Sequence, residues 1–316
     1  MLARLQKLLV FTLIAASAMW VVTLARSGHP VWGAAIAAMI VLGYAAFLAL
    51  EFAALHAVPD TSPAPRARLS QLLVAWWGEV LTAPRVFFWR QPFRSRSLPD
   101  CLELQSSQET HGVVLVHGFV CNRGLWNPWM LLLRARQIPH IAVNLEPVFG
   151  SIDDYASVID NAVIRMQAAT GRPVVVVGHS MGGLAIRGWL RRFNADARVR
   201  RVVTIGSPHH GTWLARFGHT KNGKQMRQQS AWLTQLAADE PMSRYEGFTC
   251  FYGHCDNIVF PAATAMLPGA VNLHVPGTAH VDMAFHPVVF NEVLRWLSAA
   301  PDDASAASVL RSADAR

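Results

Sequence analysis

The chain has 316 residues, of which 52% are hydrophobic and 15% charged, with a formal net charge of +8 at pH 7. A chain of this length can bury a large core, in one large domain or two smaller ones. Its arginines cluster after the apolar N-terminal segments, without a phosphate-binding glycine loop or zinc-finger spacing, so we expect no nucleic-acid partner. Four scattered cysteines predict neither a disulfide scaffold nor a zinc site.

Two uncharged runs, residues 8–25 and 31–50, open the chain. Each is long enough to cross a bilayer as a helix. A cleaved signal peptide is the alternative for the first run, since Arg4 and Lys7 precede it. However, no small-residue cleavage site ends that run, and a second span follows at once. The sequence favours a transmembrane hairpin anchor over residues 1–58, whose glycines and alanines should let the two helices approach closely.

Positive charge indicates how the hairpin is oriented. Arg4 and Lys7 precede the first run, only Arg26 lies in the turn, and six arginines follow the second run before residue 97. Because positively charged flanks tend to stay in the cytoplasm, both ends of the hairpin are predicted to be cytoplasmic. The expected location is a bacterial-type inner membrane with two spans. Because of Arg26, the difference in positive charge between the two ends of the first helix is small.

Residues 59–99 combine a proline-rich linker with an amphipathic, aromatic and basic segment. Apolar residues recur at helical spacing from 69 to 81, and Pro84 is expected to end the helix. Tryptophans with flanking arginines are typical of a helix in the membrane interface, which makes residues 69–82 a candidate interfacial helix. A helix packed on the following domain fits the same pattern equally well.

Residues 100–300 alternate between strand and helix patterns, which predicts an α/β domain with a mostly parallel central sheet and helices on both faces. Residues 213–247 interrupt the alternation and are either a lid or a plain excursion. Residues 301–316, rich in Ala, Ser and Asp, are predicted to be a disordered tail. The strands are expected at residues 113–116, 141–145, 174–177, 202–205, 249–252 and 271–275.

The sequence PVVVVGHSMGG, at residues 173–183, carries the strongest functional signal. Four valines predict a buried strand and an apolar-periodic helix follows, so Ser180 lies on a tight strand-to-helix turn. Gly178 and Gly182 have no side chains, so they leave the space that such a turn needs. The turn predicts an exposed nucleophilic hydroxyl at a helix N-terminus, where the N–H of Met181 can stabilise an oxyanion.

This turn resembles the nucleophile elbow of α/β-hydrolase-fold serine hydrolases, the bacterial lipases and esterases in particular. The resemblance covers roughly residues 112–299. Residues 207–212, SPHHGT, also resemble a segment of bacterial triacylglycerol lipases. The resemblance implies the α/β-hydrolase fold, an acyl-enzyme intermediate, no cofactor and no metal. It also implies a catalytic order of serine, acid and histidine along the chain.

The acid and the base of such a triad come from loops after later strands. Asp256 is the only acid in the loop after residues 249–252, and the segment after it resembles the corresponding lipase segment. His280 fits the base, and His286 is the alternative. Asp282 is too close to His280 in sequence to be the preferred orienting acid.

His117, Gly118 and Phe119 follow the first strand and resemble the His-Gly loop of lipases. The resemblance implies that the N–H groups of Phe119 and Met181 form the oxyanion hole. The residues expected to shape the site are His117, Gly118, Gly178, His179 and Gly182.

The expected function is that of a membrane-anchored serine hydrolase that cleaves carboxylic esters of a lipid or another amphipathic acyl compound. A thioesterase, an amidase or an acyltransferase would use the same triad, because the fold does not choose the acyl acceptor. A non-catalytic membrane binding or assembly protein is the alternative from a different class. Every expected catalytic position carries a residue that can do the chemistry, which disfavours this non-catalytic alternative.

Overall fold

The computed structural model describes residues 1–103 and 110–298. The predicted tail at residues 301–316 lies outside this part of the chain. Two long helices, α1 (Leu2–Arg26) and α2 (Pro30–Ala57), form the N-terminal hairpin and pack side by side. Gly33 makes the close approach possible, since a Cβ added there would lie 3.0 Å from the Cα of Val21.

The apolar side chains of the hairpin are mostly uncovered by protein. In the most apolar stretch of α1 0% of the residues are buried, and in that of α2 11% are. A core helix of a soluble domain would have its apolar side chains covered. Both helices are long and apolar enough to cross a membrane. The large exposed side chains include Leu8, Phe11, Ile14, Trp32, Met39, Leu42, Phe47 and Leu50.

The segment after the linker forms α3 (Leu69–Pro84), a π-helical turn (Arg85–Arg90) and α4 (Gln91–Arg94). Helix α3 ends at Pro84, as predicted, and the π-helical turn follows it directly. Proline has no N–H to donate and clashes with the carbonyl four residues before it. Beyond Pro84 the chain winds as a wider π turn.

Helix α3 has one face on the domain and one face exposed. Leu72 and Ala75 pack with Phe52 of α2 and with Cys255 and Ala279 of the domain. The opposite face leaves apolar side chains uncovered. Packing on the domain is therefore observed for one face, and the interfacial interpretation stays a prediction for the other. The large exposed residues of α3 are Leu69, Leu73, Val74, Trp77 and Leu81.

Six parallel strands form one sheet in the order β2-β1-β3-β4-β5-β6. All six predicted strands are present, and the second is shorter than predicted. The strands are β1 (Val113–Val116), β2 (His140–Ala142), β3 (Val174–His179), β4 (Val199–Ile205), β5 (Phe248–Tyr252) and β6 (Val271–His274).

Helices cover both faces of this sheet. Val174 and Val176 of β3 point into a core shared with α6 and α7, whereas Val175 and Val177 point into a core shared with α5 and α11. A strand buried on both faces is continuously apolar, which is why four valines occur in a row. The helices are α5 (Asn127–Ala135), α6 (Ala156–Thr170), α7 (Met181–Phe193), α8 (Lys221–Gln225), α9 (Ala231–Asp239), α10 (His280–Met283) and α11 (Pro287–Leu297).

Residues 213–247 form α8, α9 and short turns that are held on the domain by buried contacts. The Asn222 amide donates to the carbonyl of Val148 at 2.8 Å, and the Trp232 indole donates to Asp153 at 2.8 Å. Leu236 is fully buried in the main core. These contacts favour a packed excursion over a moving lid.

A buried ion pair joins this excursion to α7. Arg187 donates through Nε to both carboxylate oxygens of Glu240 at 3.2 and 3.0 Å, and the Tyr245 hydroxyl donates to the same carboxylate at 2.8 Å. Removing one partner of a buried pair leaves an uncompensated charge. We expect Glu240→Leu to lower the free energy of unfolding by about 3–5 kcal/mol, measured by denaturant titration in detergent.

The matched control for this substitution is Asp239→Asn, one residue away. Asp239 pairs at 3.3 Å with Arg191 on the surface, and exposed pairs of this kind contribute less than about 1 kcal/mol. Equal stability of the Glu240→Leu variant and the wild-type protein would contradict the prediction.

Candidate active site

Ser180 lies between the last residue of β3 and the first residue of α7. Its backbone has φ 57° and ψ −130°, a region that non-glycine residues rarely adopt. The Ser180 N–H donates to the carbonyl of Ile205 at 2.8 Å, which fixes the turn against the end of β4. The predicted strand-to-helix turn is therefore present, with Ser180 at the helix N-terminus. The prediction that its hydroxyl is exposed is wrong, because the loops around the turn leave only 7% of Ser180 exposed.

The glycines around Ser180 allow backbones to approach closely. A Cβ added at Gly182 would lie 2.5 Å from the carbonyl oxygen of Val116, and one at Gly178 would lie 2.7 Å from the N of Gly183. At Gly118 the added atom would lie 2.6 Å from the Cβ of Ser180. A larger residue at Gly118 or Gly182 would push the elbow away from the end of β1 and the loop after it, and one at Gly178 would push β3 away from the start of α7.

Asp256 and His280 form a buried pair. The Nδ1 of His280 donates to Oδ2 of Asp256 at 2.9 Å, and the side chains are only 5% and 1% exposed. Oδ1 of Asp256 accepts from the N–H groups of Ile258 and Val259 at 2.9 and 2.8 Å. Both oxygens of the carboxylate therefore accept hydrogen bonds, and the histidine keeps Nε2 available to accept a proton.

The surroundings of His280 favour its protonated form. Burial lowers the pKa of His280, but the charge of Asp256 and the hydrogen bond to it outweigh burial. The net pKa lies above the usual value for histidine. A raised pKa suits a group that must take a proton from a serine hydroxyl near neutral pH.

Gly206, which the sequence did not mark as functional, lies between the Ser180 turn and the Asp256–His280 pair. It directly follows the β4 residue that binds the N–H of Ser180. A Cβ added at Gly206 would lie 2.8 Å from Oδ2 of Asp256 and 3.2 Å from Nδ1 of His280. The three predicted catalytic residues follow the carboxyl ends of β3, β5 and β6, and Gly206 follows that of β4. This is the edge at which parallel sheets place their ligand sites.

In the described part of the chain, the Ser180 hydroxyl makes no hydrogen bond to His280. Catalytic hydrogen bonds are often long in ligand-free structures and tighten when substrate binds. His179, the neighbour of Ser180, does contact the base: its Nε2 donates to the His280 carbonyl at 3.1 Å. Burial holds the pKa of His179 well below its usual value, so this ring is neutral.

His117 fixes the loop after β1. Its Nε2 accepts from the N–H of Leu145 at 3.0 Å, and its Nδ1 therefore donates to the carbonyl of Gly118 at 2.9 Å. Burial lowers the pKa of His117 to about 4, so the ring stays neutral. Among the described residues, the N–H groups of Phe119 and Met181 have no protein acceptor and remain available for an oxyanion.

The alternative acid and base lie elsewhere in the fold. His286 precedes α11 and its Nδ1 accepts from the N–H of Val288 at 3.4 Å, which makes it a helix cap. The Asp282 carboxylate accepts from the hydroxyl of Thr82 of α3 at 3.0 Å. The structure therefore pairs Asp256 with His280 and gives both alternatives other partners.

Three other histidines of the domain have structural partners. His209 is buried and bonds through Nε2 with the Thr204 hydroxyl at 3.0 Å. His254 and His274 share a hydrogen bond of 2.6 Å. The structure brings none of these rings to Asp256.

Two acids that the sequence did not mark as functional, Glu51 and Glu79, reach this site from the N-terminal segment. Glu79 of α3 accepts from the N–H groups that follow His280, and Glu51 of α2 accepts from Asn257. A signal was available, because Glu51, Asp60 and Glu79 are the only acids among the first 99 residues. An acid in an otherwise apolar helix usually has a specific partner.

Residues 113–253 match a model described as "Alpha/beta hydrolase family". The mature lipase BlEst2 of Bacillus licheniformis superimposes with a TM-score of 0.54 at 19% identity, over 61% of this chain and 94% of that chain. Lipase B of Aspergillus fumigatus gives 0.54 at 18% identity, over 86% and 71%. A sequence comparison with curated proteins gives no match. The six-stranded parallel sheet, the strand-to-helix turn at Ser180 and the matched residues together show that the domain has the alpha/beta hydrolase fold.

Proposed function

We propose that this protein is a membrane-anchored serine hydrolase that cleaves carboxylic esters. The observation that carries the proposal is the buried Asp256–His280 pair, joined at 2.9 Å, beside the strained backbone of Ser180. A nucleophile, an orienting acid and a base, in this order along the chain, are the triad of hydrolases built on such a sheet. The similarity of the fold to two lipases supports an ester as substrate.

The reaction follows from the positions of these groups. Ser180 Oγ attacks the ester carbonyl carbon while His280 Nε2 takes its proton, and Asp256 stabilises the imidazolium. The N–H groups of Phe119 and Met181 donate to the carbonyl oxygen as it becomes an anion. Collapse of the intermediate breaks the bond to the alcohol, which leaves with the proton from His280. Water, activated by the same histidine, then releases the acid from Ser180.

A panel of substrates tests this proposal. Aryl esters graded in acyl chain length should be hydrolysed, and a fluorophosphonate should label the protein covalently. Matched thioesters, amides and acceptor alcohols distinguish a thioesterase, an amidase and an acyltransferase from an esterase. A folded protein that neither turns over any of these compounds nor reacts with the probe would support the non-catalytic binding function instead.

The membrane part of the proposal rests on the uncovered surfaces. Helices α1 and α2 pair with each other and expose apolar side chains around the pair. The exposed face of α3, with Trp77, extends the apolar surface onto the domain. We place α1 and α2 across a bilayer, α3 in its interface and the domain on the cytoplasmic side. A substrate with an acyl chain fits a site at this surface.

Membrane extraction should leave the full-length protein in the pellet. High salt and alkaline carbonate remove proteins that are held by charge, whereas apolar spans resist both treatments. Immunoblots of the soluble and pelleted fractions measure this outcome. Release of the protein by salt alone would contradict the two-span anchor. A reporter after residue 316 that is active only in the periplasm would overturn the orientation.

A further inference from the structure

Glu79 is a buried acid that binds the backbone directly after the candidate base. Its carboxylate accepts from the N–H of Val281 at 3.1 and 3.2 Å and from the N–H of Asp282 at 3.1 Å. The side chain comes from α3, about 200 residues earlier in the chain, and only 1% of the residue is exposed. Glu79 thereby fixes the backbone at which the side chain of His280 leaves the loop.

Glu51 reaches the other side of the same loop through Asn257. Nδ2 of Asn257 donates to Oε2 of Glu51 at 2.6 Å, and Oδ1 of Asn257 accepts from the N–H of His280 at 3.2 Å. Asn257 is fully buried and directly follows Asp256. The hairpin helix α2 is therefore linked by two hydrogen bonds to the backbone of the base.

These two carboxylates act on the charge of His280 as well as on its position. Burial raises the pKa of Glu79 to about 7, although the charge of His280 opposes that rise. Burial lowers the pKa of His280, whereas the charges of Asp256, Glu79 and Glu51 raise it. The fourth titratable group that faces His280 is the neutral ring of His179. In the described ranges no lysine or arginine pairs with either glutamate.

We propose that Glu51 and Glu79 are positioning residues for His280, so that the N-terminal anchor is part of the active site. The proposal rests on the proposed function, in which His280 is the base. It differs from a simple membrane attachment, because the hairpin and α3 would then be needed for catalysis even in detergent. Removal of residues 1–58 would leave the Asn257 amide without its acceptor.

The test uses full-length protein in detergent. Glu79→Gln keeps the shape of the side chain and removes its charge, and we expect kcat for an ester to fall about 10-fold with KM nearly unchanged, the size expected for a lost charged hydrogen bond. The acidic limb of the pH profile should move to lower pH, because a charge that raises the pKa of His280 is gone. Glu51→Gln should change both readouts in the same direction by a smaller amount.

Two control variants separate positioning from folding. Leu72→Ala removes a buried contact of α3 with the domain and should lower the melting temperature without moving the acidic limb. Glu246→Gln changes an exposed acid and should alter neither readout. If Glu79→Gln does not fold, Glu51→Gln decides by the same measurements.

The outcomes also distinguish this inference from the proposed function. A wild-type protein that reacts with a fluorophosphonate, together with glutamine variants that keep the wild-type kcat and acidic limb, would overturn the positioning role alone. A wild-type protein that the probe does not label would overturn the proposed function itself.

Discussion

Ser180→Ala is expected to lower kcat/KM for ester hydrolysis by about 10⁴-fold or more, because removing the nucleophile of a triad leaves only the catalysis due to the oxyanion hole and substrate binding. The variant should also lose all labelling by a fluorophosphonate. Its fold should be unchanged, since the substitution removes one hydroxyl that makes no hydrogen bond to His280 in the structure. Initial rates with an aryl ester and gel fluorescence of the labelled protein measure the two effects.

The control for this experiment is Ser298→Ala. The Ser298 hydroxyl donates to the Arg295 carbonyl at 2.8 Å at the end of α11, an exposed position remote from the elbow. This variant should keep wild-type rates and labelling. Undiminished hydrolysis by Ser180→Ala would show that another residue is the nucleophile.

The second large effect is expected at the base and its acid. His280→Ala should lower kcat by about 10⁶-fold, and Asp256→Asn by about 10⁴-fold, since the amide stabilises neither the tautomer nor the imidazolium. Initial rates at saturating ester measure both. In the wild-type protein, activity should fall as the pH drops through the pKa of His280, which lies above its usual value. The base is active only when neutral, so the loss occurs on the acidic side.

The controls are the residues that the sequence offered as alternatives. His286→Ala removes a helix cap and Asp282→Asn changes a contact with α3, so both variants should keep most of the activity. An inactive His286→Ala variant beside an active His280→Ala variant would show that His286, and not His280, is the base.

The sequence by itself determined the elements on which the site is built. Four valines followed by GHSMGG define β3, the Ser180 turn and α7, because a doubly buried strand and a glycine-flanked elbow are local patterns. Six short apolar runs gave all six strands, and the last two of them located Asp256 and His280 on the loops that follow. Each of these inferences depends on residues that are close together in the chain.

Only the tertiary structure decided which of these residues meet. Asp256 and His280 are separated by 24 positions, and Asp282, only two positions from His280, binds Thr82 instead. Glu79 reaches its partners across about 200 positions, and Glu51 across 206. The π turn and α4 that follow Pro84 are likewise seen only in the structure. Periodicity and spacing report only local conformation, whereas a buried carboxylate is stabilised by whichever donors the packed fold brings to it.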